Sequence, residues 1–234
     1  EKGGAAERLD ILIDTQGTRY VYTYTGTQAH LTDPSNAFSY SNTAVTNSML
    51  GLTTDAERSA LFNTVLKGQF GDVIHSEPAV VHYSNGEDGQ PDTPDDDVKI
   101  FVGANDGVLH CIDDETGDEV WAFIPPDQVG RLKNLTDADH DYFVDGSPTV
   151  YYGASQKILI IGSRRGGESY TALDITNYNA PRYLYTVGPN ILGPGNEVLG
   201  QSWSRPEKAT IATGSTASSP VFSRTSIGFS VSSP

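Results

Sequence analysis

Cysteine, tryptophan and long apolar runs are scarce in this chain, and each scarcity narrows its interpretation. Of 234 residues, one is cysteine, Cys111, and two are tryptophan. A single cysteine cannot form an intrachain disulfide, and its place in the apolar segment V-L-H-C-I predicts a buried side chain rather than a reactive thiol. No apolar run reaches the roughly 20 residues of a membrane-spanning helix, so we expect no membrane insertion.

Basic residues are also few. Fifteen lysines and arginines stand against thirty acidic residues, which gives a formal net charge of −15. This charge repels phosphate backbones and favours cations, so we expect no nucleic-acid partner. The five histidines never pair at a spacing typical of zinc ligands. No catalytic triad order, phosphate-binding glycine loop or paired acid and base is apparent, so we expect a protein that is not an enzyme.

The most distinctive segment is the acidic run D-A-D-H-D-Y-F-V-D. It places Asp137, Asp139, Asp141 and Asp145 at offsets 0, 2, 4 and 8. Carboxylates crowded in this way repel one another unless a hard cation lies among them, and oxygen ligands are those that Ca²⁺ prefers. The match to an EF-hand fails after its third position, because Tyr142 replaces the turn glycine and position twelve lacks a glutamate. The spacing therefore predicts a calcium loop outside a helix-loop-helix, and the alternative is a solvated acidic turn.

Two stretches of the chain repeat the same succession of four short segments. A proline precedes the first apolar strand, the second apolar run ends at glycine, the third strand ends in Asp and a turn, and the fourth is β-branched and aromatic. The first set begins at His75, Val98, Val108 and Asp118, and the second begins at Asp145, Lys157, Ser169 and Pro181. A further segment from Gly200 resembles the start of a third set.

Four-stranded units repeated in series are typical of β-propeller blades. We therefore predict an all-β fold, a fragment of a β-propeller with quinoprotein-like four-stranded blades, long loop insertions and one short helix. Residues 71–211 would hold two blades and the start of a third, including the calcium loop 137–145. Two blades cannot close a ring, so the missing faces must come from a longer protein or from partner chains. The Ser/Thr-rich residues 212–234 are either a strand pair or a tail.

Residues 1–70 differ in character from the repeats. The segments from Arg8 and from Arg19 predict a strand pair, and a long polar loop follows. The run from Thr53 to Gly68 predicts a short helix, because Thr54 or Asp55 can cap its start and glycine ends it.

Five motifs, in order, resemble the C-terminal propeller domain of PilY/PilC-type proteins. They are Y-V-Y-T-Y-T-G, F-G-D-V-I-H-S-E-P-A-V-V, the long blade motif I-F-V-G-A-N-D-G-V-L-H-C-I-D-D-E-T-G-D-E-V-W-A-F-I-P, D-Y-F-V-D-G-S-P-T-V and L-G-Q-S-W-S-R-P, and they cover about residues 18–210. The family's von Willebrand-like region is absent here, and the pattern of later blades is lost after Pro206.

The resemblance implies a secreted, calcium-binding factor of the type IV pilus, located at the pilus tip or the outer-membrane surface. Its expected roles are pilus assembly, retraction control, twitching motility and surface adhesion, with pilin or minor pilin subunits as partners and a host or abiotic surface as a further one. It also implies a calcium site built from Asp137, Asp139, Asp141 and Asp145, with the backbone carbonyl of Phe143 as a further ligand.

Two other classes share the blade motif. A pyrroloquinoline-quinone-type dehydrogenase would hold its quinone with calcium and stacked aromatics, but this chain lacks the adjacent cysteine pair often found in those enzymes. A structural or ligand-binding propeller unconnected with pili is the third alternative. Near-ultraviolet absorption by a bound quinone would distinguish the dehydrogenase from the other two.

Overall fold

The computed structural model describes residues 4–84, 96–136, 141–189, 200–206, 223–224 and 227–228. Its regular structure is mostly β-sheet with few helices, in agreement with the all-β prediction. The described strands form two larger sheets and one short pair, and they do not close into a ring. No helix among the described residues has the length and apolar character needed to span a bilayer.

The first sheet contains five strands in the spatial order β1-β5-β4-β3-β2. Strands β2 to β5 form the antiparallel four-stranded unit that the first repeat predicts, and β1 adds to its edge, parallel to β5. The bounds are β1 Val21–Thr23, β2 Ala79–Ser84, β3 Asp97–Gly103, β4 Leu109–Asp113 and β5 Glu119–Ile124.

The second sheet is an antiparallel meander in the order β6-β7-β8-β9, and it matches the second repeat. Its strands are β6 Thr149–Tyr152, β7 Lys157–Gly162, β8 Tyr170–Asp174 and β9 Arg182–Val187. One core cluster joins the two sheets, since it takes Phe101 and Trp121 from the first and Leu159 and Leu173 from the second. The two repeats therefore pack against each other rather than forming separate units.

Glycines allow the connection before β6 to approach the ends of β3 and β7 closely. A Cβ on Gly146 would lie 1.9 Å from the carbonyl oxygen of Gly162, and one on Gly103 would lie 2.3 Å from that of Val144. Only glycine fits such contacts without a backbone shift.

The predicted strand from Arg8 to Thr15 is wrong, because these residues belong to the helix α1, Ala5–Gln16. The segment L-D-I-L-I-D also fits a helical period, which places Leu9, Leu12 and Ile13 on one face. Gly17 ends the helix in the left-handed conformation, with φ 76°. The expected partner strand does form as β1, but it pairs with β5.

The helix predicted after Thr53 is confirmed as α3, Asp55–Lys67. A capping box starts it, because the Thr54 hydroxyl accepts from the Glu57 N–H while the Glu57 carboxylate accepts from the Thr54 N–H. Leu61, Phe62 and Val65 pack into a core cluster that also contains residues of β1 and β5. A third helix, α2 Asn47–Leu50, precedes it, so the described chain has three α-helices where one was expected.

The start of the predicted third unit touches the second sheet through an antiparallel bridge between Ser202 and Arg164. Within residues 212–234, most of which lie outside the described part, β10 (Ser223–Arg224) and β11 (Ile227–Gly228) form an antiparallel pair. This pair agrees with the strand-pair alternative for that segment.

Candidate metal site

The acidic run lies on the connection between the two sheets. After β5, a 3-10 helical segment covers Val129–Thr136, and residues 141–148 then lead into β6. Asp137 and Asp139 lie outside the described residues, whereas Asp141, Phe143 and Asp145 lie within them.

Asp141 is held by a cation of the chain itself. Its Oδ2 accepts from Arg131 Nη2 at 2.8 Å and from Asn134 Nδ2 at 3.4 Å, and its Oδ1 accepts from the Tyr142 N–H at 2.8 Å. Partial burial opposes ionisation, but the Tyr142 N–H and the Arg131 charge outweigh it, so the pKa of Asp141 is lowered. This carboxylate is therefore ionised at neutral pH, as a metal ligand must be.

Asp145 is 1% exposed and belongs to the segment just before β6. Its Oδ2 lies 2.7 Å from Nδ1 of His75, a residue of the segment before β2. Its Oδ1 is buried without a hydrogen-bond partner among the described residues. A buried carboxylate oxygen without a partner is costly, and a cation is one means of satisfying it.

Phe143 is anchored on three sides. Its N–H donates to Asn105 Oδ1 at 3.0 Å, its ring lies under the Arg131 guanidinium at 5.3 Å, and its carbonyl oxygen lies against Gly166, where a Cβ would come within 1.7 Å. The assignment of this carbonyl as a calcium ligand stays a prediction.

Within the part of the chain that the structure describes, no group of three or more His, Cys, Asp or Glu residues converges as a metal site. Asp141 and Asp145 each have a separate side-chain partner, Arg131 and His75. The unpartnered Asp145 Oδ1 and the ionised Asp141 fit a cation, and the full set of four carboxylates remains a prediction.

Sequence reasoning missed Arg131 and His75 as partners of the acidic run. His75 lies 70 positions before Asp145, and only the packing of the two repeats brings the pair together. Arg131 lies ten positions before Asp141, and a basic residue so close to an acidic run is a signal that could have been used.

A cavity of about 330 Å³ lies beside Arg131, the partner of Asp141. Its wall combines carboxylates, guanidinium groups and small residues. The lining residues are Asp127, Arg131, Arg165, Gly166, Gly167, Glu168, Ser169, Gly188, Pro189 and Gln201. At its edge, Arg165 stacks on both Tyr142 and Trp203, with 5.2 and 5.5 Å between its guanidinium carbon and the ring centroids.

A second charged cluster lies inside the first sheet. Arg19, just before β1, pairs with Glu119 of β5 at 2.5 Å, and His110 of β4 lies 2.7 Å from the same carboxylate. Asp106 lies 3.3 Å from the other nitrogen of His110 and 3.6 Å from Arg19. Phe70 stacks on His110 at 3.9 Å.

The charges of this cluster compensate one another. Burial opposes the charged forms, yet the opposite charges outweigh it, so the pKa of His110 is raised and the pKa values of Asp106 and Glu119 are lowered. The cluster fixes the segment before β1 to the first sheet, and nothing in its geometry indicates a reaction.

Comparison with known proteins finds no matching family model. The chain is 32% identical over 170 residues to the type IV pilus biogenesis factor PilY1 of Pseudomonas aeruginosa, an alignment that covers 62% of this chain and 14% of that protein. It is 37% identical over 105 residues to a PilY1 homolog of Xylella fastidiosa, covering 42% of this chain and 9% of the relative.

Among solved structures, the crystal structure of the P. aeruginosa PilY1 C-terminal domain matches 54% of this chain and 24% of that one, at 32% identity and a TM-score of 0.40. The aligned region spans only about a seventh of the length of the first curated relative. The sequence identity to a protein named PilY1 nevertheless extends over 62% of this chain, which is therefore similar to one part of a PilY1-type protein.

Proposed function

We propose that this chain is the calcium-binding part of a β-propeller in a type IV pilus biogenesis factor. The observation that carries the pilus assignment is the similarity to proteins named type IV pilus biogenesis factor PilY1. The two four-stranded antiparallel units, joined in series and sharing a core, support the propeller. Its remaining blades would come from the rest of a longer protein or from partner chains.

The proposed calcium site consists of Asp137, Asp139, Asp141 and Asp145 with the carbonyl of Phe143. Asp145 Oδ1, buried and without a partner among the described residues, is the structural observation in its favour. When bound, the ion supplies the positive charge that holds these oxygens together on the connection between the two sheets. Asp145 anchors the site in the interior, and Asp141 contributes a carboxylate that is ionised at neutral pH.

The protein would act through contacts with other proteins rather than through catalysis. Its proposed partners are pilin or minor pilin subunits, and its proposed place is extracellular, at the pilus tip or on the cell surface. There it would serve pilus assembly, retraction control, motility and adhesion. Ordering of the connection by calcium would then engage or release a pilus component.

Isothermal titration with calcium tests the site directly. The double variant Asp137→Ala/Asp145→Ala should lose binding, because it removes both ends of the acidic run. A second acidic segment of the sequence, G-E-D-G-Q-P-D-T-P-D-D-D at residues 86–97, has prolines and irregular spacing and is not expected to bind calcium. The matched control is therefore Asp92→Ala/Asp96→Ala, which removes the same number of carboxylates from that segment and should bind like the wild type. Unchanged affinity in the first variant would exclude the proposed site.

The pilus assignment needs a separate test in a piliated host. The native assembly should co-purify with pilin subunits, and Asp145→Ala should impair pilus extension or surface motility while the protein is still secreted and folded. Normal piliation and motility in that variant, with calcium binding demonstrably lost, would reduce the ion to a structural role.

A further inference from the structure

Arg131 already occupies one of the carboxylates assigned to calcium. Its Nη2 donates to Asp141 Oδ2 at 2.8 Å and to the Tyr142 carbonyl at 3.0 Å. A guanidinium and a calcium ion compete for the same carboxylate, because each requires its negative charge. Calcium binding at Asp141 must therefore displace Arg131 or accept a weakened contact.

We propose that Arg131 is the exchangeable counter-ion of the acidic run: calcium displaces its guanidinium from Asp141, and Asp127 in the adjoining cavity receives it. This inference rests on the proposed calcium site. It adds Arg131 as a residue that sets the calcium affinity of the site, and Asp127 as a carboxylate whose partner changes when calcium binds.

Asp127 has the properties of a receiver. It lines the same cavity as Arg131, and its Oδ1 is buried without a hydrogen-bond partner among the described residues. Burial raises the pKa of Asp127, although hydrogen bonds from Ser169 and Gln128 and the nearby charge of Arg131 oppose the shift. A guanidinium that turned into the cavity would bring this charge closer and supply a donor to the unpartnered Oδ1.

Gln128 links Arg131 to the proposed receiver, Asp127. Its Oε1 accepts from Arg131 Nη1 at 3.1 Å, and its Nε2 donates to Asp127 Oδ2 at 2.9 Å. Gln128 itself is fully buried and also donates to the carbonyl of Gly166 at 3.1 Å. Because this side chain is fixed, Arg131 can keep one partner while it exchanges the other.

The second arginine of the cavity is placed differently. Arg165 stacks between the rings of Tyr142 and Trp203, and its Nη1 donates to the Tyr142 hydroxyl at 3.3 Å. Its side-chain contacts among the described residues are with Tyr142 and Trp203, not with Asp141 or Asp127. Arg165 therefore provides a matched control of the same charge in the same cavity, and Glu168 provides the corresponding carboxylate control.

The test is a double-mutant cycle on the calcium dissociation constant, measured by titration calorimetry. Arg131→Gln removes the competitor and should tighten calcium binding about fivefold, the equivalent of one partly exposed ion pair. Asp127→Asn removes the receiver and should weaken binding roughly threefold. In the Arg131→Gln background, Asp127→Asn should have no further effect, because no guanidinium needs a new partner. Arg165→Gln and Glu168→Gln should bind like the wild type.

The wild-type protein offers a measurement that does not depend on the folding of a variant. The NMR resonance of the Arg131 Nε–H should shift on saturation with calcium, while that of Arg165 should not. A wild type that takes no calcium overturns the proposed site and the exchange with it. A wild type that binds calcium overturns the exchange alone if Arg131→Gln fails to bind more tightly, if Asp127→Asn still weakens binding in that background, or if the Arg131 resonance stays unmoved.

Discussion

Arg19, His110 and Glu119 place opposite charges side by side in the interior of the first sheet. The side chains of Arg19 and Glu119 are 1% and 2% exposed. Removing these charges from water opposes folding. Loss of one partner is nevertheless more destabilising, because the remaining charges stay buried without full compensation. These residues therefore contribute to the placement of the segment before β1 more than a surface ion pair would.

The variant Glu119→Gln keeps the shape of the side chain and removes its charge. It should lower the free energy of unfolding by about 3 kcal/mol, because Arg19 and His110 would retain only Asp106 as a counter-charge. Denaturant unfolding measures the change. The control is Asp118→Asn at the neighbouring position. It breaks the partly exposed ion pair between Asp118 and Arg8 and should change the free energy of unfolding little. Equal stability of the two variants would contradict the buried-charge interpretation.

His110 should also make stability depend on pH. Its folded pKa is raised above the ordinary value of 6.5 by Asp106 and Glu119, against the effect of burial. The stabilisation is therefore fully present below about pH 6.5 and is lost as the pH rises through the folded pKa. The free energy of unfolding, measured between about pH 6 and about pH 9, should fall with rising pH for the wild type. It should change less with pH for His110→Gln. An unchanged slope in the variant would assign the decline to other groups.

At the scale of elements, most strands could be predicted because the turns that end them are formed by residues close together in the sequence. The segment D-D-E-T-G between β4 and β5 forms its turn through Asp113 Oδ1, which accepts from the Thr116 N–H and hydroxyl at 2.9 Å, and Gly117 adopts φ 72°. Interactions of this range can be derived from a single sequence. The capping box of α3 was accessible for the same reason, since Thr54 and Glu57 are three residues apart.

Contacts between distant residues could not be derived in this way. Helix α1 was predicted as a strand because its apolar pattern fits both periods, and Arg8, which pairs with Asp118 across 110 positions, gave no local signal. Arg19 and Glu119 are separated by 100 positions, and His75 and Asp145 by 70. In the candidate site, the carboxylates could be found from the sequence, whereas their partners Arg131 and His75 could be found only from the fold.

The close approach of β7 and the segment before β6 provides a test at this scale. Gly146→Ala should destabilise the protein by about 2–3 kcal/mol, because its Cβ would meet the Gly162 carbonyl oxygen at 1.9 Å and force the segment before β6 away from β7. Gly153→Ala is the matched control, since the nearest atom to its Cβ is 3.5 Å away. The melting temperature of Gly146→Ala should lie clearly below that of Gly153→Ala. Equal melting temperatures would mean that the backbone adjusts at no cost.

At the scale of the whole molecule, the acidic run occupies the covalent connection between two sheets that share one core. Asp145 contacts His75 from the segment that precedes β2 of the first sheet, and the Phe143 carbonyl lies against Gly166 beyond β7. A ligand that orders this connection therefore acts on both repeats together. We expect the two sheets to unfold in one transition for this reason.

Calcium should accordingly stabilise the molecule as a unit. If the ion binds only the folded state, free calcium at a hundred times the dissociation constant adds about 2.7 kcal/mol to the free energy of unfolding. Melting curves should shift upward as one transition with calcium and return with chelator, while magnesium should do much less because it sheds its water reluctantly. The Asp137→Ala/Asp145→Ala variant should melt at the same temperature with calcium and with chelator. A wild-type melting temperature that changes with neither calcium nor chelator would mean that the acidic run is a solvated turn. A shift confined to one of two resolved transitions would mean that calcium acts on one sheet alone.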